Sequence, residues 1–141
     1  MNTKALSFLS LARKARRIEA GEEPVGAICR AHKARLVLVA SDAGEHTLRR
    51  AQSFVAGTEQ PLLRLSCDRD ALGSALGLTS CAIAAISDVR LALAFVQALD
   101  AEDRPEALVT ELAQRSARFT QRQKEARAHE KNLRQGKKKK P

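Results

Sequence analysis

Glu22 and Glu23 stand side by side in "EAGEEPVGAICR" (19–30), between Gly21 and Pro24. Two acids beside a glycine and a proline read as a helix start. There the first backbone N–H groups lack partners, and the positive dipole end stabilises a carboxylate by about 0.3–1 kcal/mol. The same N–H groups can hold a phosphate, and an ionised carboxylate can accept from the N1–H and N2–H edge of a guanine. Arg30, further along the same helix, suits a phosphate or a guanine. Dipole matching alone would also account for the two acids.

Other chemistry-bearing residues do not converge on a reaction. Ser41, Asp42 and His46 in "SDAGEH" sit on one turn, whereas a nucleophile, its base and the orienting group meet from separate elements. Helix capping explains Ser41 and Asp42. Cys29, Cys67 and Cys81 are odd in number, show no CxxC spacing and have no ligand-like spacing to His32, His46 or His129. They read as reduced core thiols of a cytoplasmic chain, with no metal, and the histidines as surface residues. There is no GxxxxGK[ST] loop and no GxGxxG after a strand. The glycines of "LGSALGL" (72–78) read as helix ending and close packing. No enzyme and no cofactor are expected.

The charge is unevenly placed. Of the net +9, none belongs to residues 1–114, which hold 14 Lys/Arg and 14 Asp/Glu; residues 115–141 hold 11 Lys/Arg against Glu125 and Glu130. Such a segment reads as an electrostatic arm for nucleic acid. It lacks the apolar face of a membrane helix, and no apolar run is long enough to span a bilayer. A second basic cluster comprises Arg13, Lys14, Arg16 and Arg17. Four phenylalanines without tyrosine or tryptophan leave stacking a minor role, so charge must carry more of the affinity.

These residues need elements to hold them. Ala5, Phe8, Leu9, Ala12 and Ala15 recur at helical spacing ahead of the basic cluster. A second helix runs from Gly21 through Val25, Ile28 and Cys29. "RLVLVA" (35–40) reads as a buried central strand. A helix capped by Ser41 or Asp42 follows, with Leu48, Ala51, Phe54 and Val55 inward. "LLRLSC" (62–67) is a shorter strand, Asp68 or Asp70 heads a short helix, "CAIAAIS" (81–87) is a buried strand, and Asp88 heads a helix to Leu99. The alternation predicts an α/β domain over residues 1–100 with helices on both faces of a small sheet. Residues 101–119 read as a linker and a further helix through Leu108, Leu112 and Phe119. Residues 120–141 read as a basic tail that stays unfolded until an anion binds it.

The order of these motifs resembles the kink-turn-binding ribosomal protein superfamily, of the L-seven-Ae and L-thirty-e type, and its small bacterial members in particular. The resemblance covers residues 5–99 and rests on "GEE…AI…KARLVLVASDA" followed by "LG.ALGL…A.AAI.D". It implies a three-layer α-β-α sandwich with a four-stranded mixed sheet. The C-terminal helical basic tail lies outside it. It also implies an RNA surface made of the second helix start and the loop before the last strand. In the family that helix start reads Gly-Thr-Asn-Glu, followed by a lysine and a later basic residue. Alignment on "VGAI" and "KARLVLVA" sets Ala20 at the glycine, Gly21, Glu22 and Glu23 at the next three positions, Gly26 at the lysine and Arg30 at the later basic residue. The loop falls on Leu78, Thr79, Ser80 and Cys81. Pro24 predicts a helix that begins at Pro24, with Glu23 outside it.

The expectation is a non-catalytic, monomeric RNA-binding protein that meets ribosomal or other structured RNA, with ribosomal proteins as further partners. Its accessory cations are the Arg13–Arg17 cluster and Lys137, Lys138, Lys139 and Lys140. The alternative is a protein-interaction or assembly module whose tail alone binds RNA, without specificity.

Overall fold

The computed structural model describes residues 1–138. The chain runs α1 (Thr3–Lys14), β1 (Ile18–Ala20), α2 (Glu22–Arg30), β2 (Leu36–Val39), α3 (Glu45–Val55), β3 (Leu62–Arg64), α4 (Arg69–Ala75), β4 (Ile83–Ile86), α5 (Val89–Ala98) and α6 (Glu106–Lys138). The strands form one mixed sheet in the order β1-β4-β2-β3. β4 is antiparallel to both β1 and β2, and β2 is parallel to β3. The central strands β2 and β4 are buried at every position, which is why they read as unbroken apolar runs.

Alternation along β2 sorts the core into two layers. Leu36 and Leu38 join Leu9 of α1, Leu72 of α4, Phe95 of α5 and Leu112 of α6 on one face. Val37 and Val39 face Val25 and Cys29 of α2 and Ala51 of α3 on the other. The result is the expected α-β-α sandwich. All three cysteines are free and buried, and burial pushes each thiol above its ordinary range.

β1 has no counterpart in the periodicity, because three residues are too few to show one. It exists through the turn before it. Arg16 adopts φ 57°, and the Arg17 N–H bonds the Ala12 carbonyl at 2.8 Å while the Arg16 N–H bonds that of Arg13 at 3.0 Å. This left-handed helix stop reverses the chain beside β4. The same device ends α2 at His32, φ 56°, and α4 at Gly77, φ 70°.

Capping follows the sequence in two places and departs from it in a third. Asp68 caps α4 and Asp88 caps α5 with their side chains. α3 starts after Gly44 without a side-chain cap. Asp42 instead accepts from the Arg69 N–H at 2.8 Å, so it ties the turn after β2 to the start of α4.

The segment beyond Phe119 is also corrected. α6 is one helix from Glu106 to Lys138, so residues 120–138 are helical where an unfolded tail was expected. The docked first half, with Leu112 fully buried, has already met the nucleation cost. Extension through residues such as Ala126, Arg127, Ala128 and Lys131 then adds one hydrogen bond per residue. Lys139 and Lys140 lie outside the described residues.

Candidate nucleic-acid interface

The two segments singled out by the resemblance meet. Gly21, Glu22, Leu78, Ser80 and Cys81 line one cavity of about 220 Å³, closed by Thr47 of α3 and by Ala82 and Ile83 at the start of β4. The sheet brings them together. The Gly21 N–H donates to the Ile83 carbonyl at 2.9 Å, and this bond fixes the N-cap of α2 beside the strand that the 78–81 loop feeds.

Gly21 caps α2 with φ 99° and ψ 158° and has no side chain to bond the first turn. That backbone conformation belongs almost solely to glycine. Ala20, which alignment sets at the family's glycine, instead closes β1. The helix begins at Glu22, so Pro24 lies within the first turn rather than at its start and Glu23 is helical. Pro24 removes an N–H that would be unpaired there in any case. The N–H groups of Glu22 and Glu23 are left as the donors of this helix end.

The two acids have different fates. Glu22 is engaged: Thr47 Oγ1 donates to its Oε1 at 3.0 Å, and Arg50 Nε lies 3.3 Å from its Oε2. It binds α2 to α3. Glu23 is exposed, with its carboxylate open to a ligand.

Gly26 is a space rather than a gap in the charge. A Cβ there would lie 3.0 Å from the Phe54 ring and 3.2 Å from Arg30 Nη1. Side chains on a helix lean toward its N-terminus, and the Arg30 guanidinium accordingly folds back over the glycine. Arg50 lies over the other partner, its guanidinium carbon 5.5 Å from the Phe54 centroid. The Arg30 guanidinium thus lies beside the position where the family carries a lysine, and that of Arg50 lies over the neighbouring Phe54 ring. Arg30 itself lies outside the cavity. Sequence reasoning set Phe54 on the inner face of α3 but gave Thr47, Arg50 and Phe54 no part in the site. Their steps of three and four on α3 are visible, but which helix they face is decided by the α2–α3 packing.

The loop is positioned by two glycines. A Cβ on Gly73 would lie 2.7 Å from the Ser80 Cα and 2.8 Å from its N, so α4 and the loop touch backbone to backbone. Gly77 ends α4, and the Arg13 side chain lies across it; one member of the N-terminal basic cluster therefore borders the loop. Leu78 is 46 % exposed, a large apolar side chain held at the cavity rim. Thr79 is exposed and outside the cavity lining. Cys81 turns inward: its thiol donates to the Ile83 carbonyl at 3.1 Å. Burial pushes this thiol up, against the opposing effect of the Ile83 and Gly21 backbones. A neutral buried thiol is no nucleophile, and Cys81 forms the floor of the cavity.

No protein-family model matches the chain, and no curated protein matches it. Among solved structures, a protein with unknown function from Bacillus halodurans C is 30% identical, with a TM-score of 0.60 over 67% of this chain and 98% of its own. A Giardia lamblia 15.5kD RNA binding protein is 17% identical, with a TM-score of 0.58 over 80% of this chain and 91% of its own. The fold is common to all three. In this chain it is a four-stranded mixed sheet covered by helices on both sides, with the long α6 at its C-terminal end.

Proposed function

We propose that the protein is a non-catalytic, cytoplasmic RNA-binding protein that recognises structured, kink-turn-like RNA in ribosome or ribonucleoprotein function. The observation that carries this reading is the convergence of Gly21 and Glu22 with Leu78, Ser80 and Cys81 on one cavity. The likeness to the Giardia RNA binding protein supports the same reading. The unpaired N–H groups of the first α2 turn take a phosphate. Glu23 accepts from the edge of a guanine in a sheared G·A pair, Leu78 packs against a base that the kink exposes, and Arg30 neutralises the neighbouring backbone. Beyond Gln123 the exposed α6 presents Lys124, Arg127, Lys131 and Arg134 at steps of three and four. They form one basic face that adds affinity without selectivity.

The test is fluorescence anisotropy with a kink-turn RNA and with the same RNA after replacement of its G·A pairs. Glu23→Ala and Leu78→Ala are expected to weaken binding to the kink-turn about tenfold, roughly 1.4 kcal/mol, and to change the control less than twofold. Equal losses on both RNAs would refute structured readout and favour the assembly module with a nonspecific arm.

A further inference from the structure

A second concave surface lies at the opposite end of the sheet. Its cavity, about 720 Å³, is walled by α6 on one side and by the starts of β2 and α5 on the other. It is lined by six arginines against two acids, Glu59 and Asp88. The strand register builds part of this wall. Ile18 and Leu36 both pair with Ile86, so Arg17, Ser87 and Arg35 follow in a row across three adjacent strands. At one strand spacing per step this holds the two arginines roughly 10 Å apart. Arg118 and Arg122 face them from α6.

Not all of this charge is free. Arg115 pairs with Glu111 and donates to the Glu59 carbonyl at 2.8 Å, and Arg90 pairs with Asp88 at 3.4 Å. Among the described residues, no acid lies within ion-pair distance of Arg17, Arg35, Arg118 or Arg122, and all four are exposed. Unneutralised guanidiniums held around one concavity repel each other unless an anion enters. The groove also has a flat element: Phe119 is 37 % exposed, and the Arg90 guanidinium lies 5.1 Å from its ring centroid. Arginine planes and aromatic rings are surfaces on which an unpaired base stacks. A cavity in the size range of small-ligand pockets admits part of one strand and not a duplex.

α2 connects the two surfaces. Its N-cap, Gly21, lies in the first cavity, and His32, two residues past its end, lines the second. Nine residues span roughly 14 Å. We infer that the groove is a second RNA contact, which takes a single-stranded segment extending from the RNA held at the α2 start. Its phosphates meet Arg17, Arg35, Arg118 and Arg122, and a base stacks against the Arg90–Phe119 pair. This inference rests on the reading of the protein as an RNA binder, but not on which residues at α2 read the kink.

The experiment compares the full chain with its Arg35→Gln/Arg118→Gln/Arg122→Gln variant. The probes are a blunt kink-turn RNA, the same RNA with a single-stranded extension of about six nucleotides, the same RNA with a duplex extension, and the free oligonucleotide. The single-stranded extension is expected to tighten wild-type binding about tenfold and to steepen the log affinity against log salt slope by about 3, at roughly 0.7 per phosphate for four contacts. The variant is expected to lose both effects while it binds the blunt RNA within about twofold of wild type. The proposal is overturned if the variant keeps the gain, if the extension brings none, or if the duplex extension brings as much. Competition of the oligonucleotide by an equal concentration of a mononucleotide would likewise overturn it, in favour of a small-ligand pocket. If the wild type fails to bind the blunt RNA, the kink reading fails alone. The free oligonucleotide, bound more tightly by wild type than by the variant, then still reports on the groove.

Discussion

Substitution of Gly73 by alanine should separate the proposed RNA surface from the fold that carries it. The new Cβ would lie 2.7, 2.8 and 2.9 Å from the Cα, N and C of Ser80. Carbon contacts are comfortable at about 3.5–4.0 Å, so the loop backbone must retreat by roughly 0.5–1 Å. Overpacking costs about 1–3 kcal/mol, and an obstacle made of backbone puts this case near the upper end. Alanine in place of glycine in a helix returns about 1 kcal/mol. The net loss is about 2 kcal/mol, which for a chain of this size lowers Tm by about 6 °C. The retreat also carries Leu78 and Ser80 away from Gly21. Gly73→Ala is therefore expected to weaken kink-turn binding about tenfold and to leave the G·A-less control nearly unchanged. Gly26→Ala is the matched comparison. Its Cβ would meet the Phe54 ring at 3.0 and 3.1 Å and the end of Arg30 at 3.2 Å, all side-chain atoms that can give way. A cost on the order of 1 kcal/mol is offset by the helix gain, and stability should barely change. Differential scanning calorimetry and anisotropy on both variants decide the matter. Gly26→Ala as damaging as Gly73→Ala, or Gly73→Ala with unaltered RNA selectivity, would refute the argument.

Three further outcomes are expected. Burial works against ionisation of Asp88, but hydrogen bonds from the Leu91 and Arg90 N–H groups and the Arg90 guanidinium prevail and hold the carboxyl below its ordinary 3.8. A lowered folded-state value gives stability that is present above about pH 4 and lost as the pH falls through that value. Asp88→Asn, which can still cap α5, should cost under about 1 kcal/mol at neutral pH and show a flatter acid limb in urea midpoints taken from pH 6 to 2; an identical limb would refute the assignment. Gln60 is buried and bridges two backbone groups: its Oε1 accepts from the Ala34 N–H at 3.0 Å, and its Nε2 donates to the Cys29 carbonyl at 3.1 Å. Gln60→Leu strands both at about 1–3 kcal/mol each, so urea unfolding should show a loss of at least about 2 kcal/mol. Truncation after Gln123 should leave Tm within about 2 °C, because the residues removed are exposed as far as Gln135. It should also flatten the salt dependence of RNA binding by about 4, if the arm neutralises about six phosphates.

Much of this protein is legible in its sequence. Unbroken apolar runs at 35–40 and 81–87 identify the central strands, because a strand covered on both faces has no polar side to alternate with. Asp68 and Asp88 mark helix starts, because a short side-chain oxygen satisfies the first-turn N–H groups wherever the rest of the chain goes. The concentration of positive charge after residue 114 is likewise a property of order alone. Contacts between segments are not local, and only the tertiary structure decided them. β1 forms because a left-handed turn at Arg16 delivers three unremarkable residues to an open edge of β4. Asp42 looked like a cap for α3 and serves α4, because the turn after β2 passes the start of that helix. Glu22 and Glu23 are neighbours of one type in the sequence, yet the packing of α3 against α2 occupies the first with Thr47 and Arg50 and leaves the second exposed. Arg17 and Arg35 share a wall because two strands flank a third in one register. α6 runs on to Lys138 because its first half is docked, and helix extension needs only a nucleus that tertiary packing supplies.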